Sequence, residues 1–170
     1  MEHKQYPVGR FHYDESTLDL EACKMTIKNF PDHVQKIAAL LQDGHMDIPY
    51  RSGGWTARQV IHHVADSHSH ALLRIKCALS EHNPTIKPYA EDVYATLPDY
   101  DLPVDSAQQI LYGVHMRWST LLEHLTASQW NRTYFHPGSQ KVFTIKHATA
   151  MYDWHCRHHL GHLQLCLSIV

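Results

Sequence analysis

Several common chemical devices are missing from this chain. Its four cysteines, Cys23, Cys77, Cys156 and Cys166, stand far apart with no C-x-x-C between any of them. That argues against a cysteine zinc ribbon and a disulfide framework, and it fits reduced thiols. No run approaches the roughly 18 apolar residues that a transmembrane helix needs. Residues 1–7 carry no apolar stretch of the signal-peptide kind, so a cytoplasmic protein without a leader is expected. Charge of one sign is also missing, since 15 Lys and Arg stand against 17 Asp and Glu, a net −2. Without a basic stripe or tail, nucleic-acid binding is not expected. The seven glycines form no phosphate-cradling loop, and no Ser-His-Asp spacing or paired-carboxylate motif stands out.

What is present is a helical protein rich in histidine. At 170 residues the chain is expected to form one domain, residues 1–170, able to bury roughly 70% of its unfolded surface without staples. Residues 1–15 read as an arm. Apolar positions then recur at three and four from Leu18 to Leu41, predicting a helix from about residue 16, kinked or restarted at Pro31 and capped by Gly44. Thr56 and Gln59 form a capping box for a second helix reaching about residue 80. Residues 82–104 hold four prolines and predict a long irregular connection with one short helix near 91–96. A third helix is expected over 106–125, a hairpin or loop over 130–143, and a last helix from 144 or 145 to about 167. Four long amphipathic helices with little strand signal predict an all-α four-helix bundle, with up-down or crossed topology left open.

The chain holds 17 histidines, so chance pairs are expected. His3, His12, His33, His45, His82, His115, His124, His136 and His147 have no partner at ligand spacing and read as non-functional. Residues 154–162 differ, with four histidines in the run Trp-His-Cys-Arg-His-His-Leu-Gly-His. His155 and His159 are four apart and share a helix face, as do His158 and His162. One helix can give two imidazoles to a metal in this way. Periodicity does not choose between the pairs. A third ligand is available on the second helix, where His63 lies with Val60, Val64, Ser67 and Ala71, whereas His62 lies with Asp66, Ser69 and Leu73. The apolar company favours His63. Asp66 could orient an imidazole, serve as a fourth ligand, or be solvated. Trp55 and Trp154 could wall a pocket or pack at helix ends, and Arg74 could pair with Glu91 or Asp92.

The segments 50–68 and 152–162, together with Tyr6-Pro7-Val8-Gly9-Arg10-Phe11 and Lys87-Pro88-Tyr89, resemble the YfiT-like branch of the DinB superfamily. The likeness covers nearly the whole chain. It implies a four-helix bundle, often homodimeric, that binds one divalent metal ion per subunit through three histidines. The histidine before Val-Ala-Asp corresponds to His63, and two of the W-H-x-x-H-H run correspond to His155 and His159. Asp153 departs from the family pattern, which usually has a small residue before the Trp-His.

Three imidazoles leave coordination positions open, as in catalytic sites. The resemblance implies a metal-dependent hydrolase acting on a small molecule, with zinc or nickel activating water. One alternative is a metal-dependent thiol S-transferase that conjugates a low-molecular-weight thiol to electrophiles. The other is a non-catalytic metal-binding stress-response module. With ligands of ordinary pKa near 6.5, metal affinity is expected to fall below about pH 6.

Overall fold

The computed structural model describes residues 2–41 and 43–169. A short α1 (Glu2–Gln5) precedes α2 (Leu20–Leu40), α3 (Ala57–Ser80), a single turn α4 (Glu91–Tyr94), α5 (Asp105–Glu123) and the short α6 (Ala127–Trp130). The strands β1 (Thr133–His136) and β2 (Lys141–Thr144) form an antiparallel hairpin with Tyr134 opposite Phe143, and α7 (Ile145–Leu167) follows directly.

Local chemistry explains the helix limits. The side chain of Asp14 takes the backbone N–H and hydroxyl of Ser16 into a turn, so α2 starts at Leu20 behind its Asp19 cap instead of near residue 16. Pro31 lies inside an unbroken helix. The helix ends at Leu41, whose N–H reaches the carbonyls of Ala38 and Ile37. Gly44 is therefore not its cap, and sits in a short 3-10 turn, Asp43–His45. Thr56 and Gln59 make both bonds of the expected capping box, a motif worth about 1 kcal/mol. Thr144 caps α7 by accepting from the His147 N–H.

The four long helices bury a shared core that includes Ile27 and Phe30 of α2, Val60 and Val64 of α3, Leu111 and Trp118 of α5, and Leu163 of α7. α2 packs on α5 and α7, and α3 packs on the same two. Among the described residues, neither α2 with α3 nor α5 with α7 packs comparably. Consecutive helices α2 and α3 thus lie diagonally opposite, a crossed arrangement. The connection after α3 is strapped back over it. Gln59 donates to the Ala95 carbonyl, Arg58 to that of Leu102, and the Tyr100 hydroxyl to Asp66. Its start also pairs with β1 through Ile86 and Phe135. No helix among the described residues is long and apolar enough to cross a membrane.

Candidate metal centre

His63 comes from the second turn of α3, and His155 and His159 from successive turns of α7. One ligand atom from each lies within 4.8 Å of the others. The Nε2 atoms of His63 and His155 are 3.4 Å apart. His63 and His159 are buried, and His155 keeps partial exposure. Burial, then the charge of His158, lowers the His63 pKa to about 4. His155 and His159 are held well below the ordinary range, first by burial and then by neighbouring histidines. All three are neutral near pH 7, the state in which imidazole can bind a metal.

Two hydrogen-bond chains fix where the protons sit. Pro31 has no N–H, so the Ile27 carbonyl lacks the usual helical donor four residues on. His115 Nδ1 lies 2.5 Å from that oxygen. A carbonyl only accepts, so the His115 proton is on Nδ1 and its Nε2 must accept from His68 Nδ1 at 2.7 Å. His68 Nε2 then accepts from His155 Nδ1 at 3.0 Å. This chain touches all four long helices in turn and leaves the His155 Nε2 lone pair free. On the other side, His162 Nε2 donates to the Gln5 carbonyl at 3.2 Å. Its Nδ1 therefore accepts from His159 Nδ1 at 3.4 Å, leaving the His159 Nε2 lone pair free as well. These tautomers follow from the network, because the partner of one ring nitrogen dictates the other.

His155 Nε2 thus has no proton to give His63. If His63 donates to it instead, His63 Nδ1 is left as a bare lone pair, and that atom is buried without a partner. Three neutral imidazoles with a ligand atom each within 4.8 Å of the others, two of them with the Nε2 lone pair left over by the network, fit a divalent cation. The donor set suits zinc, nickel, copper or iron.

The other sequence candidates fall elsewhere. His158, His159 and His162 also lie within 4.8 Å of one another, but both ring nitrogens of His162 are engaged and its ring stacks on Tyr50 at 4.0 Å. His62 is bonded to the Leu102 carbonyl. Asp66 accepts from Tyr100 and belongs to neither histidine group. Asp153 pairs with Arg157 at 2.6 Å, so the departure from the family pattern leaves the three histidines untouched. Arg74 is buried, and no carboxylate of the described residues lies within 4.0 Å of it, contrary to the expected pairing with Glu91 or Asp92. His68 and His115 carry no ligand spacing, and reading His115 as non-functional was too narrow. Their signal is an interruption of apolar stripes, Val64-His68-Ala71-Ile75 on α3 and Leu111-His115-Trp118-Leu122 on α5.

A cavity of about 430 Å³ opens over the three histidines, walled by Tyr6, Tyr50, Trp55 and Trp154 with Glu91 and Asp92 among its lining. The Trp55 ring lies 4.6 Å from His63, and Trp154 donates to the Gly9 carbonyl at 2.9 Å. The N-terminal arm reaches this place because Gly161 has no side chain. A Cβ there would stand 2.6 Å from Pro7 Cγ.

Known proteins share this frame. A sequence profile of the DinB superfamily matches residues 27–163. A protein of Bacillus pumilus is 42% identical over 161 residues, spanning 94% of this chain and 92% of its own. Another, from Oceanobacillus iheyensis, is 39% identical over 166 residues, spanning 96% of each. Both carry the name "Putative metal-dependent hydrolase". YfiT of Bacillus subtilis, described as "a probable metal-dependent hydrolase with an unusual four-helix bundle topology", superposes with a TM-score of 0.92 at 33% identity, over 96% of this chain and 95% of YfiT. A mycothiol-dependent maleylpyruvate isomerase shares the fold with a TM-score of 0.68 at 16% identity, over 89% of this chain and 63% of that one.

Proposed function

The chain belongs to the DinB superfamily, and on that premise we propose that it is a metal-dependent hydrolase whose His63, His155 and His159 hold one divalent ion, zinc or nickel. The observation that carries this reading is the pair of free Nε2 lone pairs, set by hydrogen bonds that end on the Ile27 and Gln5 carbonyls. A divalent ion in such a site supplies a Lewis acid that lowers the pKa of water and polarises an electrophile.

The protein's own groups do the rest. His68 and His162 accept from the Nδ1 protons of His155 and His159, which keeps both rings in place and in one tautomer. Trp55, Trp154 and Tyr50 shape the cavity and limit bulk water. Glu91 and Asp92 are exposed acids on the same cavity, placed to take up or return a proton.

The test is turnover by zinc- and nickel-loaded protein on ester, amide and phosphoester panels, run beside monochlorobimane with small thiols. Hydrolysis that disappears in His63→Ala supports the reading. Turnover confined to the thiol panel would replace hydrolysis by thiol transfer at the same site. Silence in both panels would leave a metal-binding module and defeat the enzyme assignment.

A further inference from the structure

A second cavity, about 250 Å³, shares His63, His155 and Glu91 with the larger one. Its remaining wall includes Ser67, Arg74, Tyr89 and His136. Ile86 pairing with β1 helps hold the loop that carries Tyr89 over α3. Arg74 is the unusual member. It is 8% exposed, and its Nε is buried without a hydrogen-bond partner. Its neighbour on α7 is Tyr152, a neutral phenol whose hydroxyl donates to the Ser67 carbonyl and whose pKa the guanidinium lowers against burial. Glu91, which also lines the cavity, is exposed and lies beyond ion-pair distance of the guanidinium, as does every other carboxylate among the described residues.

Arginine does not lose its proton in proteins, so this charge must be met by something. A buried guanidinium without an anion is costly, and proteins ordinarily pair or remove it. Its field is felt around the cavity, where it helps to lower the pKa values of His70 and His136 after burial. Histidine, neutral or protonated, carries no negative charge to offset it, and nothing in the hydrolytic reading above uses it.

We propose that this second cavity is a carboxylate-binding subsite, in which Arg74 holds a carboxylate of the same small molecule whose reacting group faces His63, His155 and His159. This rests on the metal-site reading for the second half of that statement only. The guanidinium fork matches a carboxylate in a flat, two-bond geometry. Burial raises the Tyr89 pKa, so its phenol stays protonated and able to donate. Among the described residues Arg74 is the one lysine or arginine on the cavity wall, and the acid Glu91 lies at its exposed edge, so the site matches a monoanion better than a doubly charged phosphate. His63 and His155 face both cavities, which places the carboxylate and the reacting bond within one short molecule.

Calorimetry with propionate, succinate, neutral succinamide and inorganic phosphate tests this, on zinc-loaded and on metal-free protein. Propionate and succinate should bind both forms, because the metal-free arm removes direct coordination of zinc by the probe. Arg74→Gln should weaken that binding by at least about tenfold, the scale of a lost charge-assisted bond, with zinc stoichiometry and helicity unchanged. Arg74→Lys should retain part of the affinity, and succinamide should not bind. Should Arg74→Gln fail to fold, the succinate–succinamide contrast in wild type and Arg74→Lys decides the matter. Equal carboxylate affinity in wild type and Arg74→Gln, binding confined to the zinc form, or tighter binding of phosphate would each overturn the proposal. Failure of zinc to bind would instead break the metal reading, while Arg74-dependent carboxylate binding to metal-free protein would still be measurable.

Discussion

Two overlapping triads of histidine share α7, and their comparison shows what burial and proximity leave undecided. His63, His155 and His159 form one; His158, His159 and His162 form the other, with the same 4.8 Å limit on ligand-atom spacing. Five residues in all are involved, and four of them are buried. They differ in where their protons are. In the first triad, hydrogen bonds occupy the Nδ1 atoms of His155 and His159 and leave their Nε2 lone pairs over, in rings that each bring a ligand atom within 4.8 Å of the others. In the second, His162 spends both nitrogens on its neighbours, and His158 stacks on Trp154 at 4.5 Å. A cluster of imidazoles becomes a site when its outer contacts fix the tautomer.

The sharpest way to break that contrast is to remove members of each triad in turn. His63→Ala and His155→Ala should reduce bound zinc to well below one equivalent by elemental analysis, whereas His158→Ala should keep it near one. A reversal would move the site to the second triad. Next comes the support behind the first triad. His68→Leu removes the acceptor for the His155 proton and should weaken zinc binding by about 10- to 100-fold. His68→Gln offers a carbonyl to His155 and an N–H to His115, and it should recover much of that loss. Zinc affinity equal in His68→Leu and wild type would show that the chain does not position the ligand.

A smaller effect concerns acid. The pKa values of His63, His115, His158 and His162 are each lowered to about 4, mainly by burial. Between the ordinary value of 6.5 and about 4 the unfolded chain binds more protons than the folded one, so stability of the metal-free protein falls as pH drops through that interval. Above pH 6.5 this contribution is fully present. The same lowered values move proton competition with the metal downward. Zinc affinity should hold between about pH 8 and 6 and decline towards 4, instead of collapsing below pH 6 as ordinary pKa values imply. Calorimetry across pH 4 to 8, with parallel thermal melts of metal-free protein, reads both trends.

The smallest expected change is at the arm. Gly161→Ala places a Cβ against Pro7 and should dislodge the N-terminal segment. Gly→Ala favours a helix by up to about 1 kcal/mol, which offsets part of the packing lost at this buried position, so the melting midpoint should move little. Cleavage of the arm by protease should accelerate, and His162 should lose its Gln5 partner.

Much of the frame was legible because it is local. The Thr56–Gln59 capping box, the last helix and the i, i+4 histidines depend on residues within a turn of one another. Periodicity left His155/His159 and His158/His162 equivalent, and only the family resemblance separated them. The diagonal placement of α2 and α3 was not legible, because a 16-residue connection permits neighbours or a crossing. Nor were the roles of His68 and His115, which depend on Ile27, His68, His115 and His155 meeting from four helices. The sequence at Pro31 predicts a kink or a restart, while in the structure the helix runs on and the missing N–H leaves the Ile27 oxygen to His115. Arg74 was expected beside an acid, and long-range packing put it in a cavity wall instead.

The most direct test of the central claim is a crystal structure of the zinc-soaked protein, with data collected at the zinc absorption edge. The account predicts one anomalous peak in the larger cavity, about 2.0–2.1 Å from a ring nitrogen of His63 and from Nε2 of His155 and His159. A peak held by His158 and His162, or none at the three predicted histidines under saturating zinc, would contradict it.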